Sequence, residues 1–154
     1  MRTQALTTAE RLYREHGARL QRAVMLFAGS RDVAEDAVAE AFAQLLAART
    51  EIRDPLAWVW RTSFRVAAGE LKALRRTGGT MPELSEEAVD ATGELAGALR
   101  RLSPKQRGAL VLHYYAGYPA KAIASILGSS TAAVHVHLSQ GRKRLRSLLE
   151  DDDG

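Results

Sequence analysis

The sequence predicts an all-α protein made of two small helical domains that are joined by an acidic linker. Alanine, the strongest helix former, fills 27 of the 154 positions, and only four prolines interrupt the chain. Apolar residues recur every three or four positions, as on one face of a helix, and no run alternates as a half-buried strand does. A stretch near residue 80 that is rich in glycine and acidic residues separates two groups of such segments.

Three helices are predicted before residue 77. The first begins at Thr7, where Glu10 completes a capping box, and the second begins at Asp32, with Glu35 in the same role. The third begins after Asp54, a capping residue followed by proline at the first helical position. The buried faces predicted from the spacing are Tyr13, His16, Leu20, Val24 and Phe27 in the first helix, Val38, Ala41, Phe42, Leu45 and Leu46 in the second, and Leu56, Trp60, Ser63, Ala67, Leu71 and Leu74 in the third.

Residues 77–91, TGGTMPELSEEAVDA, are predicted to form a flexible acidic linker, because they contain few apolar side chains. Four short helices are predicted after it: 92–102, a helix capped by Ser103 and ended by Gly117, 119–127, and 131–149. A short glycine turn joins the last two, as in a helix-turn-helix. Residues 150–154 form an acidic tail that is either disordered or a competitor of DNA. The predicted inward residues are Leu95, Leu99, Leu102, Leu110, Val111, Tyr114, Ile123, Ile126, Leu127, Val134, Leu138, Gly141, Leu145 and Leu148.

Charge is distributed unevenly along the chain, whose formal net charge is +4. Residues 80–94 carry five acidic residues and no basic one, whereas residues 95–149 carry nine basic residues and no acidic one. A long segment without a carboxylate creates a positive field that suits a polyanion. The second half is therefore predicted to contact nucleic acid, and the alternative is a basic surface that only aids solubility.

Several classes of function are excluded by residues that the sequence lacks. It has no cysteine, which excludes disulfides and thiolate metal sites and fits a reducing cytosol. Apolar runs such as AVMLFA are too short to cross a bilayer, so a cytoplasmic protein without membrane insertion is predicted. His135 and His137 are two positions apart, which faces them to different sides of a helix and argues against a shared metal ion. Without a phosphate-binding loop or a nucleophile elbow, we expect no enzyme activity, cofactor or small-molecule substrate.

Two blocks of sequence resemble the sigma-70 family of the extracytoplasmic-function type, which are small bacterial initiation factors. The first block contains RDVAEDAVAEAFAQL and DPLAWVWRTSFRVAAGELKALRR, and the second contains LRRLSPKQRGALVLHYYAGYPAKAIASILGSS and the helix after it. The likeness covers roughly residues 8–76 and 92–149. It implies that residues 1–76 form a sigma region 2-like domain, which binds RNA polymerase core and opens the minus-ten element. Residues 92–149 would form a sigma region 4-like helix-turn-helix domain that reads the minus-thirty-five element.

The resemblance also implies site residues in the first half. Asp36, Glu40 and Phe42 match the polymerase-binding positions, although the two carboxylates alone would also fit a solvated helix face. Of Trp58 and Trp60, one is expected in the core. The other either packs against its neighbours or stacks on a flipped base. The family's asparagine and aspartate in the third helix are here Arg65 and Gly69, a departure that weakens the expectation of promoter melting. The implied minus-ten contacts are Trp58, Trp60, Arg61, Arg65, Lys72, Arg75 and Arg76.

In the second half the implied DNA contacts lie on the helix-turn-helix. Val136, His137 and Gln140 stand where the family usually has polar and arginine side chains. Gln140 can still bond adenine and Val136 can touch a thymine methyl, while His137 suits a pH-sensitive phosphate contact. Ser130 also fits a helix cap. The implied contacts are Lys121, Ser130, Thr131, His135, Val136, His137, Ser139, Gln140, Arg142, Lys143 and Arg144.

Three functions are compatible with these features. The leading hypothesis is a sigma factor that binds RNA polymerase core and directs promoter-specific initiation, with promoter DNA and an anti-sigma factor as further partners. The second is a degenerate sigma-like protein that binds a regulator or polymerase without initiating. It is favoured by the departures at Arg65, Gly69, Val136, His137 and Gln140. The third is a stand-alone helix-turn-helix regulator, which needs only residues 92–149 and leaves the first half unexplained.

Overall fold

The computed structural model describes residues 2–78 and 86–152 of the chain. Within these residues it contains seven α-helices and no strand, so the all-α prediction is confirmed. No helix in the described part is both long and apolar enough to cross a membrane. The helices are α1 (Arg2–Ala28), α2 (Arg31–Ala47), α3 (Pro55–Arg76), α4 (Glu86–Arg100), α5 (Pro104–Leu110), α6 (Ala120–Leu127) and α7 (Thr131–Asp152).

The first half consists of α1, α2 and α3, which pack on one another around a shared apolar core. The predicted start of α3 is confirmed, because Pro55 is its first residue and the Asp54 carboxylate accepts a hydrogen bond of 3.2 Å from the amide of Ala57. The buried side chains of this core include Leu20, Val24, Phe27, Val38, Phe64 and Leu71.

The predicted starts of α1 and α2 are wrong. α1 begins at Arg2, so Thr7 lies inside the helix, where its hydroxyl donates to the carbonyl of Thr3 rather than capping. α2 is capped by Ser30, whose hydroxyl accepts from the amide of Val33 at 3.3 Å. Serine caps a helix as well as aspartate does, and here it takes the position two residues before Asp32. Glu35 then forms an ion pair with Arg31 instead of closing a capping box.

Two residues of the predicted buried faces are exposed. Tyr13 on α1 is 55% exposed, and Leu46 near the end of α2 is also exposed. On α2 the small side chains of Ala37 and Ala41 are fully buried instead. The larger residues are therefore displaced to the edge of the contact, where the ring of Tyr13 meets the edge of the half-buried Phe42 at a centroid distance of 5.5 Å.

The second half contains α4 to α7, and its local signals are largely confirmed. Ser103 caps α5 in a capping box with Gln106, and Gly128 ends α6 in the left-handed conformation at φ 65°. The inner seam of α7 is buried at Val134, Leu138 and Leu148, with Leu145 half-buried. Gly141 lies in the same seam, where a β-carbon would stand 3.2 Å from the side chain of Leu110.

Leu95 and Tyr114, which the spacing predicts to be inward, are exposed, with 61% of Tyr114 accessible. α5 continues into a π-helical turn, Val111–Tyr115, which inserts one more residue per turn than an α-helix. This extra residue rotates the following side chains, so Tyr114 points outward. In α4 the buried positions before Arg100 are Ala96, Ala98 and Leu99 rather than Leu95.

The predicted linker and tail fall partly outside the described residues, which end at Gly78, resume at Glu86 and end again at Asp152. The backbone of α4 begins at Glu86, within the predicted linker, and is interrupted at Gly93, where φ is 59° and ψ is −141°. The regular helix predicted from 92 therefore corresponds to the part of α4 after Gly93. At the other end, α7 continues three residues beyond the predicted Leu149.

The two halves pack against each other, with α3 on α6 and α1 on α4 and α5. The halves approach closely at Gly108 of α5, where a β-carbon would lie 2.9 Å from the ring of Phe27. This arrangement brings the two sets of candidate DNA contacts into one body, with α3 partly covered and α7 at the surface.

Candidate nucleic-acid interface

The first turns of α7 present a row of predicted DNA contacts to solvent. Val136 is 50% exposed, and Thr131, His135, Ser139 and Gln140 are also exposed. They are exposed because the seam on the opposite side of the helix is buried, which fixes the rotation of α7 about its axis. The outer face can therefore enter a groove without repacking of the core.

Ser130 acts as the cap of α7. Its hydroxyl accepts a hydrogen bond of 3.0 Å from the amide of Ala133, as the alternative interpretation of this residue predicts. Lys121 is exposed on α6, the first helix of the pair, and could contact a phosphate beside the groove.

His137 is half-buried and lies between the reading face and the seam. Burial lowers the pKa of His137 below its usual 6.5, and the positive charge of Lys105 lowers it further. Both effects favour the neutral form of the ring in the free protein. A phosphate beside the ring would favour its protonated form.

The later turns of α7 carry the basic edge of the helix. Arg142, Lys143, Arg144 and Arg146 are all exposed. The guanidinium of Arg142 donates a hydrogen bond of 2.9 Å to the hydroxyl of Tyr114, so the outward Tyr114 holds this arginine in place. Side chains with this charge and exposure suit contacts with a phosphate strand.

The tryptophans on α3 are placed differently. Trp60 is only 5% exposed and stacks on Phe64, with ring centroids 6.3 Å apart, so it is the core tryptophan. Its other neighbour is Tyr118 of the second half, whose ring meets it edge-on at 6.4 Å. Trp58 and Arg61 are half-buried. Trp58 is therefore the tryptophan with surface left for a base.

Arg65 reaches across to the second half. Its guanidinium lies 3.3 Å from the hydroxyl and 3.4 Å from the carbonyl oxygen of Ser125 on α6. These long hydrogen bonds use Nη2, one of the three guanidinium nitrogens, and the side chain remains exposed. One turn further along α3, the exposed Gly69 has open space around its α-carbon.

A basic cleft of about 610 Å³ lies between the end of α3 and the start of α5. Lys72, Arg75 and Arg76 form one wall, and Lys105 belongs to the other. The remaining lining is apolar and includes Phe27, Leu71 and Leu127. The three α3 residues were predicted as minus-ten contacts, whereas Lys105 was not predicted. The cleft brings all four cations together.

The predicted polymerase contacts lie on α2, on a different surface. Asp36 and Glu40 are exposed, and the amide of Gln44 donates to Glu40 at 3.0 Å. Burial raises the pKa of Glu70 on α3, and the nearby charge of Asp36 raises it further. Asp36 and Glu70 therefore form an acidic patch whose mutual repulsion a basic partner would relieve.

An apolar patch lies at the edge of the α1–α2 contact. It contains the exposed Leu6, Tyr13 and Leu46 and the half-buried Phe42, around a shallow cavity of about 670 Å³. Exposed apolar groups that cluster in this way are typical of protein-binding surfaces.

Arg107 is the main residue that the sequence analysis missed. It is fully buried, donates from Nε to the carbonyl of Phe27 and from Nη1 to the carbonyl of Leu102 at 3.2 Å, and so joins the two halves. Burial lowers its pKa to about 10, with further lowering by Arg100 and Arg75. Arg107 lies three positions before the buried Leu110 on α5, and this helical spacing would have placed Arg107 on the inward face.

The comparisons with known proteins identify relatives of both halves. The model of Sigma-70, region 4, matches residues 92–145. The ECF RNA polymerase sigma factor SigJ of Mycobacterium tuberculosis is 36% identical over 128 residues, which are 71% of this chain and 41% of that protein. The crystal structure of SigJ matches with a TM-score of 0.64 and 30% identity, over 90% of this chain and 52% of the other. The chain thus spans about half or less of the length of this relative.

Two more distant structures share the fold over nearly their whole length. CnrH, in complex with the cytosolic domain of CnrY, has a TM-score of 0.67 at 24% identity, over 98% of this chain and 97% of the other. RpoE, in complex with the anti-sigma factor NepR from Bartonella quintana, has a TM-score of 0.65 at 18% identity, over 92% and 98%. The region 4 match, the SigJ identity and the shared fold agree with one another. The chain is thus similar to sigma factors of the sigma-70 family of the extracytoplasmic-function type, and residues 92–145 match region 4 of that family.

Proposed function

We propose that this protein binds the core of bacterial RNA polymerase and directs it to specific promoters, where transcription begins. The observation that supports this most directly is the exposed outer face of α7, held in a fixed orientation by its buried seam. A helix in this position of a helix-turn-helix enters the major groove and carries its base contacts in its first turns.

Each part of that face would have a distinct role in reading the minus-thirty-five element. Gln140 can bond adenine, and Val136 can contact a thymine methyl, so the helix favours A·T pairs. Lys143 and Arg144 would bind phosphates and set the position of the helix without reading sequence. Arg142 would also bind a phosphate, with its guanidinium oriented by the hydrogen bond to the hydroxyl of Tyr114.

The α2 surface supports binding to polymerase. The acidic patch of Asp36 and Glu70 and the neighbouring Glu40 would meet a basic surface, and the apolar patch of Leu6, Tyr13 and Leu46 would be covered at the same time. In this proposal residues 1–76 form the polymerase-binding and minus-ten domain, and residues 92–149 form the minus-thirty-five domain.

The test is run-off transcription with core polymerase from the host organism on its sheared genomic DNA, with sequencing of the transcripts. The expected result is initiation from a small set of promoters that share the same sequence elements. Asp36→Lys combined with Glu40→Lys should abolish core binding in a native gel. The control is Glu15→Lys with Glu51→Lys, which changes the charge by the same amount at exposed positions outside the patch. Absence of core binding by the wild-type chain would refute the proposal.

A second candidate function is a sigma-like protein that binds a regulator without initiating. It is favoured by the contact of Arg65 with Ser125, which occupies a candidate promoter contact. CnrH and RpoE were both solved with protein partners, RpoE with an anti-sigma factor, so a regulatory partner is a reasonable expectation for this chain too. Core binding without initiation on any genomic fragment would favour this candidate.

A further inference from the structure

The basic cleft between α3 and α5 takes its two walls from different halves of the chain. Lys72, Arg75 and Arg76 lie in the last two turns of α3, and all three are exposed. Lys105 follows Pro104 in the first turn of α5 and is exposed too. The volume of about 610 Å³ lies within the range of about 300 to 1,000 Å³ that is typical of sites for small ligands. The size of the cleft therefore suits a small molecule that contacts both halves.

The cations of the cleft have no acidic partner among the side chains that the structure describes. The lining contains no carboxylate, and ion pairs such as that of Arg31 with Glu35 lie elsewhere. Lys72 and Arg76 stand four positions apart on α3, where like charges repel each other. An anion in the cleft would replace this repulsion by attraction.

A fifth cation lies next to the cleft. Arg107 is fully buried, and its guanidinium carbon is 5.8 Å from the centre of the Phe27 ring, which lines the cleft. Burial and the charges of Arg100 and Arg75 lower the pKa of Arg107 to about 10, so the buried charge and the charged wall oppose each other. The Nη2 atom of Arg107 has no hydrogen-bond partner among the described residues. The positive field of the cleft therefore comes from a buried residue as well as from the walls.

The rest of the lining offers a surface for an uncharged, flat group. Ala68 on α3, Pro104 on α5 and Leu127 at the end of α6 are half-buried, so part of each side chain is accessible. Phosphates alone would leave these side chains in contact with water, whereas a ring that covered them would remove apolar surface from water. Cations on two walls and apolar side chains beside them therefore match a ligand that carries both phosphates and an aromatic ring.

We propose that the basic cleft is a binding site for a nucleoside polyphosphate. The phosphates would lie between the α3 wall and Lys105, and the base would cover the apolar lining. This site goes beyond the proposed function, because it requires neither polymerase nor promoter DNA. Lys72, Arg75 and Arg76 are also candidate minus-ten contacts, so a bound nucleotide and a DNA strand would compete for them.

The four lysines of the chain provide a test in the wild-type protein. All are exposed, with Lys72 and Lys105 in the cleft and Lys121 and Lys143 outside it. Acetylation by an amine-reactive ester is followed at each lysine by mass spectrometry, with and without ATP, in about 0.15 M salt to screen weak attraction. At an ATP concentration about ten times the dissociation constant, Lys72 and Lys105 should react about tenfold more slowly. Lys121 and Lys143 should react at unchanged rates.

Isothermal titration calorimetry of variants then measures binding at the same site. Lys72→Gln combined with Lys105→Gln should weaken ATP binding by about tenfold. Lys121→Gln combined with Lys143→Gln removes the same charge and should change the affinity by less than about twofold. Adenosine and inorganic triphosphate each carry only part of the proposed ligand, so each should bind the wild-type chain about fivefold more weakly than ATP, or weaker still. Circular dichroism of both double variants checks that they fold.

Equal protection of all four lysines, or equal weakening in the two double variants, would show a general attraction of ATP to basic side chains and overturn the site. Inorganic triphosphate that bound as tightly as ATP would overturn the role of the base. Protection of Lys72 and Lys105 by a short mixed-sequence single strand but not by ATP would overturn the proposal and assign the cleft to nucleic-acid phosphates. A chain that binds ATP in the cleft, yet never initiates with core polymerase, would support the site while refuting the proposed function.

Discussion

The two helices that carry the candidate DNA contacts, α7 and α3, are exposed to very different degrees. On α7 the seam packs inside the second half, and the opposite face, including Val136 and Gln140, is open to solvent. On α3 one side packs inside the first half and another meets α6, so Trp60 is buried and Arg65 is bonded. The candidate DNA contacts of α7 are thus accessible, whereas those of α3 are partly covered.

The difference arises from how each helix buries its apolar side chains. α7 buries a narrow stripe with steps of three and four and packs chiefly on α4, α5 and α6 of its own half. On α3 the ring of Trp60 contacts both Phe64 of its own helix and Tyr118 of the other half. Substitutions on the outer face of α7 and at the contact of α3 with α6 therefore test the two sets of candidate contacts separately.

The largest effect is expected from Arg107→Ala, which removes the buried link between the halves. The carbonyls of Phe27 and Leu102 both lose a charged donor, and a cavity is left beneath them. We expect a loss of about 3 kcal/mol in the free energy of unfolding, measured by urea denaturation. Arg101→Ala, at the exposed neighbouring position, should change it by less than about 0.5 kcal/mol. A loss below about 1 kcal/mol would mean that the cost of burying the cation cancels its bonds.

A smaller loss of stability is expected from Gly108→Ala. The added methyl would lie 2.9 Å from the ring of Phe27 and 3.2 Å from the side chain of Leu127, which belong to different halves. We expect destabilisation by about 2 kcal/mol, because neither rigid neighbour can move freely. Gly97→Ala is the matched control, since it meets nothing within 4 Å and should stabilise its helix by about 0.5 to 1 kcal/mol. Equal thermal denaturation of the two variants would contradict the close packing at Gly108.

Features of the chain that depend on local sequence could be predicted, whereas those that depend on distant contacts could not. Asp54 with Pro55, the Ser103 capping box and the seam of α7 are set by residues within a few positions of one another. The exposure of Tyr114 was missed because a π-helical turn shifts the register, which a 3.6-residue period does not anticipate. The partner of Arg65 lies 60 residues away, and no local pattern identifies it.

The accessible interface can be tested through its phosphate contacts. Lys143→Ala combined with Arg144→Ala should weaken duplex binding by about tenfold at moderate salt and reduce the salt dependence by about two counterions. The reason is that both cations are exposed on the basic edge of α7. Lys121→Ala should have a smaller effect, since it lies on α6. An unchanged slope of affinity against salt, measured by anisotropy on promoter fragments, would show that this edge does not meet the backbone.

The smallest effect is expected at His137, which lies on the border between the α7 seam and its reading face. Burial and Lys105 both lower its pKa, so the free protein favours the neutral ring. A depressed pKa stabilises the fold above the usual value of 6.5, and this contribution is lost as the pH falls through the lower folded value. DNA phosphates have the opposite effect, because they attract the protonated ring. Duplex affinity should therefore rise about twofold to threefold as the pH falls below 6, and this rise should be absent in His137→Gln.

Nuclear magnetic resonance titration of the His137 ring gives the direct measurement. We expect a midpoint below 6.5 in the free protein and an upward shift when duplex DNA is added. Lys105→Gln should raise the midpoint of the free protein, because it removes the positive charge that lowers the pKa of the ring. Lys121→Gln serves as a control for the loss of a charge elsewhere in the second half. A midpoint at or above 6.5, or one that Lys105→Gln leaves unchanged, would contradict the lowering of the His137 pKa by burial and by Lys105.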